Sequence, residues 1–284
     1  MSDALPVSVD GAMVAAHDAR VSALDAGFLH ALSAFDTLLL EDGRARLLAR
    51  HVARLRATCE FLGLAVPSPG LLERRVGEYA SHLPRGPLAV RTTITRGGMR
   101  LAGAMVLSAR AFEPVPEAGV EIVVEKRFAL CGDALDRHKT SGRARHALAR
   151  ESARDAGAFD ALLAHADGDL ADATSANLWA LVDGDLVTPP LDRGALAGVV
   201  RAILLEERSG CRARVREQAL LPADLARAAE VFLTSSLHRV VGVTAIRGLA
   251  AGLPGPAGPH ARAALAAVRA AEEQAEEQAE EQAE

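Results

Sequence analysis

The sequence predicts a mixed α/β chain of the α+β class, arranged in two domains with an acidic tail. Segments with helical and with strand periodicity alternate along its length. With 284 residues and 50% hydrophobic content, the chain can bury one large core or two smaller ones. A turn with two prolines at 113–117 places a domain boundary between residues 1–117 and 118–270, and residues 271–284 form the tail.

The first domain contains a predicted hairpin. Apolar runs at 36–40 and 46–48 flank the segment Glu41-Asp42-Gly43-Arg44, whose Asp-Gly pair is typical of a tight turn between strands. Helical spacing and β-branched content then predict, in order, helices over 47–64 and 71–83 and strands over 88–95 and 105–112.

The second domain repeats this mixed pattern and has no Gly-rich nucleotide loop. In chain order the predicted elements are a strand over 120–124, a helix over 146–155, strands over 161–165 and 178–182, a helix over 196–207, a strand over 231–234 and a closing helix over 261–271. The Glu-Glu-Gln-Ala repeat that follows has no apolar face, which predicts a solvated tail or a frayed helical extension.

Composition and charge exclude several functional classes. No apolar run approaches the roughly 20 residues that a membrane span needs, and the N-terminus has no signal pattern, so we expect a cytoplasmic protein. Cys59, Cys131 and Cys211 are widely spaced, which predicts thiols rather than a metal site. Seven glutamates lie in 271–284, and without their charge the formal −5 becomes +2. A nearly neutral body gives no electrostatic case for nucleic acid.

Lysine is rare in this chain. Of 32 basic residues only Lys126 and Lys139 are lysines, and the others are arginines. An amine can lose its proton and act as a nucleophile, which a guanidinium cannot do. The two lysines are therefore either retained for chemistry or left over from an arginine-rich composition.

Three motifs in the second half carry a resemblance to a known family. They read D-A-T-S-A-N-L-W at 172–179, D-G-D-L-V-T-P-P at 183–190 and G-A-L-A-G-V-V-R at 194–201. In order and spacing they resemble the acid-then-Asn-Leu-Phe signature, the Gly-x-Leu-x-Thr-Pro hairpin and the phosphate-cup helix of the pyridoxal-5'-phosphate (PLP) dependent class IV aminotransferases and aminodeoxychorismate lyases. The resemblance covers about 25–259 and implies a homodimer of fold type IV, with a small N-terminal α/β domain and a larger C-terminal pseudo-barrel-like domain.

The resemblance also implies roles for single residues. Lys139, within H-K-T-S-G-R, is similar to the lysine that forms the Schiff base with PLP, whereas Lys126 lies outside any motif and reads as a surface residue. Arg54 matches the family's phosphate arginine, and Asp172 stands where the family has a glutamate facing the pyridine nitrogen. The other implied cofactor contacts are Leu196, Val199, Val200 and Ser236. No metal is implied.

Four positions depart from the family pattern. Asp172 is one methylene shorter than the usual glutamate, Ala144 replaces a common tyrosine, Val200 replaces a threonine, and Ala-Leu-Ser at 31–33 replaces Gly-Asp-Gly. These departures motivate an alternative in which the chain is an inactive family member that acts as a binding protein.

The substrate is predicted from arginine positions. Arg143, four residues after the lysine and followed by His146, resembles the lyase branch, and Arg96 lies in a segment similar to the lyase and D-amino-acid branches. Guanidinium groups suit the bidentate binding of a substrate carboxylate. We therefore interpret the chain as a lyase that converts 4-amino-4-deoxychorismate into 4-aminobenzoate and pyruvate. The alternative enzyme is a class IV aminotransferase of branched-chain or D-amino acid type.

Overall fold

A computed structural model describes residues 5–130, 132–207 and 213–281 of the chain. It contains two compact units, one built from the described part of Met1–Glu113 together with Lys139–Gly142, and the other from the described part of Pro114–His138 and Arg143–Glu284. The change of unit thus falls close to the predicted turn. The sequence did not predict that four residues beginning with Lys139 join the first unit.

The first unit is one antiparallel sheet with helices. Its strands are β1 (Val7–Val9), β2 (Ala12–Val14), β3 (Ser33–Glu41), β4 (Arg44–Ala45), β5 (Leu88–Thr95) and β6 (Met105–Ala111), in the order β2-β1-β6-β5-β3-β4. Its helices are α1 (Ala26–His30), α2 (Leu48–Phe61) and α3 (Pro69–Ala80). The predicted hairpin is confirmed, since Asp42 and Gly43 both have positive φ in the turn between β3 and β4.

Apolar spacing explains how the helices of this unit pack. In α2 the buried residues include Val52, Leu55 and Cys59, which recur at helical spacing and join a core with Leu72 of α3 and Ile94 of β5. Helix α3 begins where Ser68 accepts a hydrogen bond from Leu71 N at 3.3 Å and Pro69 occupies the first turn. Cys59 is a buried free thiol, as expected, whereas Cys131 and Cys211 lie outside the described residues.

The second unit is a larger mixed sheet of nine strands. They are β7 (Val120–Leu130), β8 (Asp160–His165), β9 (Leu170–Ala173), β10 (Asn177–Val182), β11 (Asp185–Thr188), β12 (Arg214–Glu217), β13 (Glu230–Ser235), β14 (Arg239–Ile246) and β15 (Ala250–Ala251). The order is β12-β11-β10-β13-β14-β7-β8-β9, with β15 beside β14. The pairs β11–β12, β7–β14 and β7–β8 are parallel, and the remaining neighbours are antiparallel.

Helices cover this sheet over a second apolar core. They are α4 (Ala134–Arg137), α5 (Ala144–Asp155), α6 (Val199–Glu206), α7 (Pro222–Ala226) and α8 (Pro259–Glu281). Trp179 and Phe232 are stacked at 6.0 Å between ring centroids and pack with buried residues of α6 and α8. None of the described helices is both long enough and apolar enough to span a membrane.

Of the two alternatives predicted for the acidic segment, the structure has the helical extension: residues 271–281 are the last three turns of α8. Alanine, glutamate and glutamine all have high helix propensity, which favours continuing the helix. In addition Glu272 is buried and paired with Arg239, so one side of this segment does contact the sheet.

Candidate active site

Lys139 is held beside strand β3 of the first unit. Phe35 N donates to Lys139 O at 2.9 Å, Ser141 N donates to Ser33 O at 2.9 Å, and Thr140 forms an antiparallel bridge with Ala34. The short segment therefore adds to the sheet through its backbone. The Lys139 Nζ atom lies 5.0 Å from the ring centroid of Phe35. Lys126 is exposed, in agreement with its interpretation as a surface lysine.

Arg91 is a site residue that sequence reasoning missed. It lies on β5 opposite Thr37, and its guanidinium carbon is 3.6 Å from the centroid of the same Phe35 ring. Burial lowers the pKa of the Arg91 guanidinium, against the charge of Asp36, which raises it. The available signal was a single arginine in an otherwise apolar and β-branched strand, L-A-V-R-T-T-I-T.

Arg54 is part of a buried charge cluster. Its Nε donates to Asp36 Oδ2 and its Nη2 to Asp36 Oδ1, both at 2.8 Å, and His51 Nδ1 is 2.6 Å from Asp36 Oδ1. Burial raises the pKa of the Asp36 carboxyl, but the charges and hydrogen bonds of Arg54 and His51 outweigh it and hold that pKa well below its usual range. Burial also lowers the pKa of His51, in spite of Asp36. The pairing fixes the guanidinium of Arg54, in the middle of α2, against Asp36 of β3.

Asp172 lies in strand β9 of the second unit and accepts hydrogen bonds from three donors. Oδ2 accepts from Asn177 Nδ2 and from Leu196 N, both at 2.7 Å, and Oδ1 accepts from Leu178 N at 3.3 Å. Burial raises the pKa of Asp172 to about 6, while these hydrogen bonds and the charge of Arg201 oppose the shift. The structure thus joins Asp172 and Leu196, which lie in separate sequence motifs, by a hydrogen bond.

The start of α6 is arranged around a glycine. Gly198 is the N-cap, and a Cβ atom there would overlap Asn177 Oδ1. The first amide groups of a helix, here at Val199 and Val200, have no acceptor within the helix and attract anions. Ser236 lies in the turn between β13 and β14, where it is partly buried.

The predicted substrate arginines have different surroundings. At the start of α5, Arg143 Nη1 is 2.8 Å from His146 Nε2, and Arg143 Nη2 donates to His138 O at 2.7 Å. Arg96 follows β5 in the first unit and is exposed. Arg143 and His146 are therefore in contact, and part of the guanidinium of Arg143 is bound to a backbone carbonyl.

One group in the described part of the chain has the donor types of a cation site. Ligand atoms of His165, Asp167 and Asp169 lie within 4.8 Å of one another. Arg193 pairs with both aspartates, at 3.2 Å to Asp167 and 2.7 Å to Asp169. A single guanidinium therefore already pairs with both carboxylates.

Taken together, the side chains supply the chemistry that a phosphorylated pyridine aldehyde requires. The first unit offers an amine on a segment that is hydrogen-bonded to β3, and a largely buried arginine. The second unit offers a buried carboxylate, a helix start that begins at a glycine, and a hydroxyl. Each unit thus has side chains of kinds that bind an aldehyde, a ring nitrogen or a phosphate.

Comparison with known proteins identifies the class. The family profile described as amino-transferase class IV matches residues 33–246, so the chain belongs to the class IV aminotransferase family. A putative branched-chain-amino-acid aminotransferase of Methanocaldococcus jannaschii is 26% identical over 86% of this chain and 88% of its own length. D-alanine aminotransferase of Bacillus licheniformis is 23% identical over 92% and 96%.

Solved structures confirm the fold. A branched-chain aminotransferase from Thermoproteus uzoniensis, 20% identical, superimposes with a TM-score of 0.83 over 94% of both chains. A fold IV-transaminase from Curtobacterium pusillum, 21% identical, has a TM-score of 0.78 over 91% of this chain and 96% of its own. The PLP-bound form of a hypothetical aminotransferase from Mycobacterium tuberculosis, 24% identical, has a TM-score of 0.79 over 94% and 98%. The predicted two-domain fold type IV is therefore correct.

Proposed function

We propose that the protein is a PLP-dependent aminotransferase that moves an amino group from an amino acid to a 2-oxo acid, with Lys139 as its catalytic residue. The placement of Lys139 carries the proposal, since a lysine from the family motif is fixed to β3 by its backbone and presents Nζ to the Phe35 ring. The named relatives support this activity over the lyase predicted from the sequence.

PLP, when bound, supplies an electron sink for the bond that breaks at the amino-acid carbon. Lys139 is the group that takes the proton from that carbon in the first half-reaction and gives a proton to the corresponding carbon of the acceptor 2-oxo acid in the second, and it must be a neutral amine when it accepts the proton. The backbone anchoring of Lys139 limits the motion of the amine to its own side-chain torsions. The amine that transfers the proton therefore has a fixed point of attachment beside β3.

Asp172 is our candidate for the partner of the cofactor's ring nitrogen. A carboxylate with a pKa of about 6 is mostly ionised at neutral pH, as a pyridinium partner must be. Among the described residues, Oδ1 accepts only the 3.3 Å hydrogen bond from Leu178 N, whereas Oδ2 is engaged twice. Oδ1 is thus the oxygen better suited to accept from a protonated ring. Leu196, whose amide fixes Oδ2, is proposed to pack on the ring.

Four residues are proposed to hold the phosphate: Arg54, Val199, Val200 and Ser236. The valines contribute backbone amides, so the loss of a threonine hydroxyl at position 200 removes one contact and leaves the helix dipole unchanged. Arg54 contributes the positive charge that the other three lack.

We expect Arg54→Ala to weaken PLP binding about 10- to 150-fold, because a charge-assisted hydrogen bond contributes about 1.5–3 kcal/mol. Turnover of the fully loaded enzyme should change much less, since the phosphate is remote from the reacting carbon. Titration of the cofactor-free protein with PLP measures the effect. Arg56→Ala is the matched control on the same helix, where Arg56 donates to Pro67 O. An unchanged PLP affinity in Arg54→Ala would show that the arginine serves only the buried cluster.

Arg91 is our first candidate for binding the substrate carboxylate, because it contacts the same Phe35 ring as Lys139. We expect Arg91→Leu to raise the KM for the amino acid about 10- to 150-fold, with kcat less affected. Arg96→Leu is the control, because Arg96 is exposed and lies five residues further along the chain. Should Arg96→Leu or Arg143→Leu raise KM while Arg91→Leu does not, the carboxylate belongs to the arginine predicted from the sequence.

The lyase remains the second candidate, on the observation that Arg143 and His146 are paired at the start of α5. Purified protein loaded with PLP would be incubated with 4-amino-4-deoxychorismate, and separately with L- and D-amino acids plus 2-oxoglutarate. Release of 4-aminobenzoate and pyruvate identifies the lyase, and formation of glutamate identifies the aminotransferase. Absence of both products from protein that binds PLP would support the inactive relative.

We also propose a cytoplasmic homodimer. Several large apolar side chains of the first unit are exposed, including Leu24, Phe28, Leu29 and Met99. An exposed apolar group of this kind is typical of a surface that a second copy covers. Light scattering of the purified protein gives the oligomeric state.

A further inference from the structure

Glu272, in the second half of α8, binds the hairpin that carries Ser236. Both Oε atoms of Glu272 accept from Arg239 Nε, at 3.0 and 2.9 Å. The two side chains are only 7% and 18% exposed. Glu272 lies in the acidic repeat, well beyond residue 246 where the family match ends. Burying a carboxylate to this extent costs free energy unless it is paired with a cation, and such a buried pair calls for a functional explanation.

Arg239 occupies a strained position. It is the first residue of β14 and has a φ of 57°, in the left-handed region that favours glycine. Its side chain binds Glu272, which offsets the strain of having arginine there. The turn before it is also fixed, since His238 N donates to Ser235 Oγ at 3.2 Å and the His238 ring contacts Phe159 edge to face at 6.1 Å.

Glu272 is not required to attach α8 to the sheet. The start of the helix is bound by Glu230, which accepts hydrogen bonds from Ala261 N and from His260. Its apolar side places Ala264 and Val268 in the core with Trp179 and Phe232. Loss of the Glu272 carboxylate therefore acts on the hairpin turn more than on the docking of the helix.

We propose that Glu272 is a positioning residue for the cofactor phosphate. Through Arg239 it orders the turn that bears Ser236, so that the hydroxyl is in place before the phosphate binds. Ordering a group in advance removes part of the entropic cost of binding. The inference rests on the proposed role of Ser236 in holding the phosphate. It assigns a function to the acidic repeat, which the sequence alone left without one.

The test compares PLP with pyridoxal, which lacks the phosphate. Cofactor-free Glu272→Gln would be titrated with both, beside Glu273→Gln, whose carboxylate is exposed one residue further along the helix. We expect Glu272→Gln to weaken PLP binding about 3- to 10-fold and to leave pyridoxal binding unchanged. Glu273→Gln should change neither. Equal losses for both ligands, or none for PLP, would overturn the inference.

A second variant separates positioning from general stability. Arg239→Gln should weaken PLP binding as much as Glu272→Gln, and the double variant should be no weaker than either single one, because both remove the same contact. Additive losses would contradict the proposal. Ser236→Ala tests the phosphate contact of Ser236 separately from the positioning role of Glu272. If Ser236→Ala weakens PLP binding and Glu272→Gln does not, only the role of Glu272 is contradicted. If Ser236→Ala has no effect, the proposed phosphate role of the hairpin fails first.

Discussion

Lys139→Ala is expected to abolish turnover while the protein remains folded. Lys139 is the lysine that contacts Phe35, and the sequence has only one other, Lys126. Replacement of Lys139 should therefore remove the covalent attachment of the cofactor and the proton transfer together. The fold should survive because the contacts of this segment with β3 are made by backbone atoms, which alanine retains. The cation–π contact of the side chain with Phe35 is worth about 0.5–2 kcal/mol.

The assignment itself is tested by chemical trapping. Protein loaded with PLP would be reduced with borohydride and its peptides mapped, and we expect the label on the peptide containing Lys139. Lys126→Ala is the matched control, since it removes the only other lysine and should keep full activity. A label on Lys126, or no label with cofactor in excess, would show that Lys139 does not hold the cofactor.

The second large effect is expected at Asp172. Asp172→Asn should keep PLP bound but lower the rate of proton removal about 30- to 1000-fold, because a neutral amide cannot stabilise a pyridinium. This corresponds to about 2–4 kcal/mol, the range for loss of a preorganised electrostatic partner. Single-turnover measurements with a confirmed substrate give the rate. Wild-type turnover in Asp172→Asn would mean that the residue serves only the turn before Asn177.

Asp172→Glu is the sharper variant. The carboxylate of Asp172 already fits three donors, two of them at 2.7 Å. A longer side chain would have to displace Leu196 N or Asn177 Nδ2, so we expect Asp172→Glu to lower activity as well. Activity restored or raised above wild type would indicate that the site has drifted from its family without being rebuilt.

The pH dependence follows from the same carboxylate. Burial raises the pKa of Asp172 to about 6, so the residue becomes protonated and neutral as the pH falls below that value. A neutral acid no longer stabilises a protonated ring. A pyridinium beside the carboxylate lowers that pKa further, so in the loaded enzyme the rate of proton removal should fall only below about pH 6, and this acid limb should be absent from the residual activity of Asp172→Asn.

Local chemistry was sufficient to predict many elements. The Asp-Gly turn at 42–43 requires positive φ at both residues, and the structure has it. The start of α6 after Gly198 likewise follows from short-range rules, although the observed helix begins at Val199 rather than at 196. The sequence predicts Lys139 from its motif together with the rarity of lysine, and Asp172 from the acid-then-Asn-Leu-Phe signature.

Contacts set by strand register could not be predicted. Arg91 reaches the Phe35 ring because β3 and β5 pair with Phe35 opposite Thr93 and Thr37 opposite Arg91. No local pattern reports that register. For the same reason the binding of Arg54 by Asp36 was missed, since the two residues are joined only when α2 packs on β3. The pairing of Glu272 with Arg239 spans 33 residues and was missed too.

The route of the chain has a consequence for dividing the protein. Residues 33–35 of β3 are bound by the segment 139–142, which is synthesised only after the chain has left the first unit for 25 residues, Pro114–His138, and returned. A fragment ending at residue 113 would lack that segment and would leave this edge of β3 uncovered, which favours aggregation. The first unit therefore cannot be excised as a module by cutting at its boundary. A soluble version would have to graft residues 139–142 through a new linker, and any recombination between relatives should keep both segments from the same parent.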